Sequence, residues 1–162
     1  MILQLLPLLR GWGWRVIDID RPAIVKAGEE YVIEEITKIS GWLWMASAEV
    51  DYPYCQITVT YMDALGKKHT INMMPYGPYH AGMLFSNAFG LTAGVYDQDE
   101  ERYVANFLPV SPTPYKGYVK LSLVAPPTRD VTLLAFHAAI VEIVNEEEFR
   151  RSVKELLGSE KI

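Results

Sequence analysis

Hydrophobic and polar residues alternate along much of this chain, the mark of strands with one buried face. Over residues 15–20, Ile17 and Ile19 fall on one side while Asp18 and Asp20 fall on the other. Over 30–37, after a turn at Ala27-Gly28, Tyr31, Ile33 and Glu35 oppose Val32, Glu34 and Ile36. The cleanest alternation is at 55–61, where Cys55, Ile57, Val59 and Tyr61 interleave with Gln56, Thr58 and Thr60. Asp63-Ala64-Leu65-Gly66 then predicts a hairpin returning as 68–73. Further strands are predicted over 41–50, 102–108 and 118–124. In the last of these, Val119, Leu121 and Leu123 oppose Tyr118, Lys120 and Ser122. The segment 131–144 is almost continuously apolar and rich in β-branched residues. That pattern predicts a strand covered on both faces, with helix over part of it as the alternative.

The pattern changes to a helical period near the end. Asn145 is an N-cap residue, and Glu146, Glu147 and Glu148 put negative charge where the helix dipole favours it. Phe149, Val153, Leu156 and Leu157 recur at i, i+4, i+7 and i+8, one apolar stripe. Glu146–Arg150 and Glu147–Arg151 are ordered as favourable i, i+4 pairs. Gly158 is the expected terminator. A helix over 146–157 follows, and its stripe must lie on something.

Eight or so short strands divided by Pro- and Gly-bearing turns predict a mainly β, antiparallel β-sandwich with one short C-terminal α-helix. Jelly-roll-like and immunoglobulin-like topologies both fit. The chain reads as one domain, 1–162, with an apolar N-terminal arm over 1–11. Residues 75–94 resist this scheme. They combine four glycines and two prolines with Tyr76, Tyr79, Met83, Phe85 and Phe89, too long for an ordinary connection. They read either as a partner-contacting loop or as an irregular edge strand.

Composition narrows the function. At 162 residues the chain can bury a real core, and its 50% apolar and 22% charged residues exclude disorder. A net charge of −5, with no basic run longer than Lys67-Lys68 or Arg150-Arg151, argues against nucleic-acid binding. The lone Cys55 cannot form an intrachain disulfide and reads as a buried hydrophobe. The apolar start has no preceding cation, so it does not read as a secretory signal. The stretch 131–144 is too short and too polar to span a bilayer, so no membrane insertion is expected. Asn and Gln number only four and three, as in proteins adapted to heat.

No P-loop, dinucleotide fingerprint, nucleophile elbow or zinc-protease motif is present. His69, His80 and His137 lack neighbours at metal-ligand spacing, and His137, flanked by Phe136 and Ala138, reads as a core or interface residue. No catalytic residue, cofactor or metal is therefore assigned. Asp18 and Asp20 share a strand face, the placement that acid–base work by paired carboxylates would need, but a solvated face is the simpler reading. Asp97-Gln98-Asp99-Glu100-Glu101 lacks the glycine and distal glutamate of a calcium loop and reads as a charged hairpin tip.

What stands out is aromatic: ten Tyr and four Trp, 12% aromatic overall. Trp12 and Trp14 share one strand face, as do Trp42 and Trp44. Such rings suit a core or subunit interface, or else a sugar-stacking platform. The reading that results is a non-enzymatic structural protein of a symmetric assembly: a virion component such as a capsid, decoration or tail protein. The expected contacts to other copies or assembly proteins are Leu5, Leu6, Leu9, Trp12, Trp14, Tyr76, Tyr79, Met83, Phe85, Phe89, Phe149 and Leu156. The proline-rich run 109–114 is expected as a second extended arm. A carbohydrate-binding module is the alternative, and a small hydrolase of unrecognised type comes third. Location follows function: the virion if viral, the cytoplasm otherwise.

Overall fold

A computed structural model describes residues 6–75, 91–97, 99–107 and 112–158. After a 3-10 turn at Leu6–Leu8 come β1 (Trp12–Ile19), β2 (Ala23–Val25), β3 (Glu30–Thr37), β4 (Gly41–Val50), β5 (Gln56–Met62) and β6 (Lys68–Met73). There follow β7 (Leu91–Asp97), β8 (Arg102–Phe107), β9 (Thr113–Tyr115), β10 (Tyr118–Val124), β11 (Val131–Ile143) and the helix α1 (Glu146–Leu157). No described helix is long and apolar enough to cross a membrane.

The strands form two antiparallel sheets. One runs β1-β11-β4-β8-β7, with β2 also on β11 and β9 on β4; the other runs β3-β10-β5-β6. Setting aside β2, β7 and β9 leaves eight strands, ordered 1-8-3-6 in one sheet and 2-7-4-5 in the other. First beside last and second beside seventh is the jelly-roll winding, so of the two topologies the sequence allowed, this one is present.

Alternation builds the core between the sheets. Leu43, Ala46, Ala48 and Val50 of β4, Phe107 of β8 and Leu133, Phe136 and Ile140 of β11 face Ile57, Val59, Leu121 and Leu123 of the other sheet. All are buried. A second, smaller cluster lies on the far side of the larger sheet. There Leu6, Leu9 and Val141 are buried against Trp12, Trp42, Trp44, Phe149 and Val153. This explains the unbroken apolar run in β11. Ile140 belongs to the first cluster and its neighbour Val141 to the second, so only that end of the strand is covered on both faces. Further back, the His137 side chain is 55% exposed.

α1 is capped as its sequence prescribes. Asn145 Oδ1 accepts from Glu148 N at 3.0 Å, and Gly158 closes the helix in the left-handed region at φ 64°. Glu146 and Arg150 pair at 2.6 Å. Phe149 and Val153 carry the packing, whereas Leu156 and Leu157 remain 37% and 59% exposed. The start of β1 is clasped to the start of α1. Gly11 O accepts from Val144 N and Asn145 N at 2.9 and 3.0 Å. A Cβ on Gly11 would sit 2.4 Å from Asn145 O, and φ is +76°, so no other residue fits there.

Three strands escaped the sequence pattern. β2 and β9 have three residues each, too few to show a period, and they exist because β11 and β4 offer them a ladder. β7 emerges from the run 75–94 and from the first acid of the hairpin tip, and it pairs antiparallel with β8. The proline-rich run corrects one expectation. Its residues Thr113 and Pro114 do not reach away as an arm but pair with Leu43 and Trp42 of the same chain.

Candidate functional site

The outer face of the larger sheet is its most distinctive surface, and the register of the strands writes it out. Asp18, His137, Ser47 and Asn106 are Cα partners in succession across β1, β11, β4 and β8. They form a polar row across the sheet. Asp18 Oδ1 lies 2.8 Å from His137 Nδ1, and Ser47 Oγ donates to Asn106 Oδ1 at 2.5 Å. One rung away, Glu49 pairs with Arg102. Alternation turns His137 to this open face, so it is not the core residue its apolar neighbours suggested. Asp18 is taken up by His137, while Asp20 lies beyond the end of β1 at Ile19. The two aspartates do not form an acid–base couple.

The row aligns an acid, an imidazole and a hydroxyl in the order used for nucleophilic catalysis. Its chemistry stops short of that. The Ser47 hydroxyl is committed to Asn106, and Asp18 and His137 are 65% and 55% exposed on an open sheet face.

Beside the polar row the face is apolar. Trp12 meets Trp14 edge-on at 6.0 Å and 79°, Trp14 meets Trp44 at 5.3 Å and 71°, and Trp42 packs on Phe149 at 5.8 Å. The Trp12 indole N–H is satisfied by Leu6 O and Leu9 O, both at 2.9 Å. Trp14 is the outermost ring at 50% exposure, followed along the same edge by Val16 at 72% and Ile24 at 65%.

The expected contact residues therefore divide. Leu6, Leu9, Trp12 and Phe149 come together, covered by this chain's own helix and turn. Trp14 and Leu156 are open. Leu5, Tyr76, Tyr79, Met83, Phe85 and Phe89 lie outside the described residues. Val16 and Ile24 were missed, although Val16 falls on the same side of the alternation as Asp18.

The space between the sheets ends in a charged rim. Arg15 Nε donates to Glu142 Oε1 at 2.5 Å and Nη1 to Glu34 Oε1 at 3.2 Å, tying the two sheets together. Hydrogen bonding to the Glu142 carboxylate raises the Arg15 pKa. The buried Tyr115 hydroxyl beside this pair has no hydrogen-bond partner, and burial pushes its pKa up. A Cβ on Gly41 would lie 1.9 Å from Val141 O and 3.0 Å from that hydroxyl, so the backbone at Gly41 is closely packed.

Cys55 is fully buried in the core, and desolvation pushes its thiol up to about 12, far from the range of a nucleophile. At the hairpin tip, Glu100 and Glu101 reach Arg102 and Arg129 at 3.6 and 3.4 Å. Among the described residues, no three His, Cys, Asp or Glu side chains gather as a metal site. No protein-family model matches the chain, and no curated protein matches it in sequence.

Proposed function

We propose that this chain is a non-enzymatic building block of a symmetric assembly, in its most concrete form a capsid, decoration or tail component of a virion. One observation carries the reading. Trp14, Val16 and Ile24 stand exposed along one edge of the sheet, apart from the core that the two sheets bury between them. Apolar side chains left in water along a sheet edge favour cover by another molecule. The jelly-roll winding, shared by many shell-forming proteins, supports the same reading at the level of architecture. The partners are other copies of the chain and other proteins of the particle.

A glycan platform has less support. Its stacking surface would need ring faces side by side, whereas Trp12, Trp14 and Trp44 meet edge to face. Electron microscopy of the purified chain over a rising concentration series tests the proposal. Rings, shells or sheets of regular spacing are expected. Isolated single subunits at every concentration would sink it.

A further inference from the structure

We propose that two copies of this chain join by antiparallel pairing of β1 with β1 about a two-fold axis, continuing the larger sheet from one subunit into the next. The inference rests on the assembly reading and gives it a contact. Among the described residues β1 ends its sheet and has β11 as its one strand neighbour. No backbone hydrogen bond among the described residues reaches its open side. An eight-residue edge of this kind is a template for another strand.

Proteins usually guard such edges with charge, and β3 and β6, the edge strands of the smaller sheet, both carry it. β3 carries three glutamates and no cation of its own; Lys120 and Arg15 take up Glu30 and Glu34, and Glu35 remains as a like charge for a second β3 to meet. β6 opens at Lys68, next to Lys67 and before His69. β1 has one residue of each sign, and both are already engaged: Arg15 by Glu142 and Glu34, Asp18 by His137. Its remaining side chains are Trp12, Gly13, Trp14, Val16, Ile17 and Ile19.

What charge leaves open, apolar side chains fill. Trp14 and Val16 share the outer face of this edge with Ile24 of β2, which continues along the same side of β11. An antiparallel partner would set Trp and Val side chains against their counterparts, the aromatic and β-branched pairing that stabilises sheets. Pairing a strand with its own copy also needs only one surface, because a two-fold contact is self-complementary.

Sedimentation velocity over a concentration series, on the full chain, tests this with two variants. Val16→Lys puts a cation on the proposed seam, and Val144→Lys puts one on an equally exposed apolar residue beyond β11. Circular dichroism checks that both fold; both positions are exposed (72% and 65%). The expected result is a wild-type dimer or larger species, weakened at least about tenfold by Val16→Lys and unchanged by Val144→Lys. A monomeric wild type overturns both the inference and the assembly reading. An oligomer indifferent to Val16→Lys, or weakened equally by Val144→Lys, overturns the inference alone and leaves the assembly reading standing.

Discussion

The two hydrophobic clusters of this protein share the strands β1, β4 and β11 and are built by opposite means. The sandwich core draws on both sheets through residues two apart, and most of its members are at most 3% exposed. The outer cluster gathers a turn, a helix and three tryptophans, and only Leu6, Leu9 and Val141 in it are buried. In β11, Ile140 serves one and Val141 the other. A sheet fixes its core by its own pleat. Its outer face is covered only where some other element happens to lie, and beyond α1 the same face is open.

The sharpest test of this contrast is a cavity in each cluster. Leu123→Ala, at a site with no exposure, should cost about 2–5 kcal/mol. It should lower the midpoint of urea unfolding for every probe at once. The charged rim of the sandwich comes next. Arg15→Met strands the buried Glu142 carboxylate and should cost about 2–3 kcal/mol, less than a fully buried pair because Arg15 is partly exposed. Restoration by a second change, Glu142→Leu, would confirm that the stranded charge is the cause.

Leu6→Ala should cost about 2 kcal/mol and act locally. Amide exchange should speed up in α1 while β10 keeps its protection. Equal acceleration in both would show that the clusters form one cooperative unit and break the contrast. Asn145→Ala removes the cap on Glu148 N and should cost about 1 kcal/mol, again seen first in α1.

Acid separates the regions least. The Lys120 ammonium, bonded to the carboxyl of Glu30, holds that carboxyl below its ordinary 4.5. Bonds to His69 and Lys26 likewise lower Asp63 and Asp130. All three belong to the sandwich. Carboxyls depressed in the folded state add stability above their unfolded pKa, and it is lost as pH falls through the folded value. Thermal midpoints should therefore drop below about pH 4.5, and Glu30→Gln should flatten that decline.

The strands were legible where one face meets the core and the other meets water. Ile57 and Val59 against Thr58 and Thr60 announce β5 without ambiguity, and Asn145 with Gly158 bracket α1. The three-residue β2 and β9 were not legible, since their stability comes from the neighbour's ladder. The outer face was half legible. Trp12 and Trp14 were expected together, but a sequence does not say which ring a helix will cover and which it will leave. The row Asp18–His137–Ser47–Asn106 was hidden because its members lie far apart in the chain and meet only through register. His137 was misread for the same reason: Phe136 and Ala138, beside it in sequence, point the other way.

The pairing of β1 with β11 sets Trp12 opposite Ile143, so the first strand has to wait for the last. On a ribosome, those tryptophans emerge with nothing to lean on until β11 has followed them. Closing so distant a contact is slow. Until then β1 shows its two tryptophans to solvent, which makes the interval before closure the moment when a chaperone, or a misplaced neighbour, has its best chance to bind.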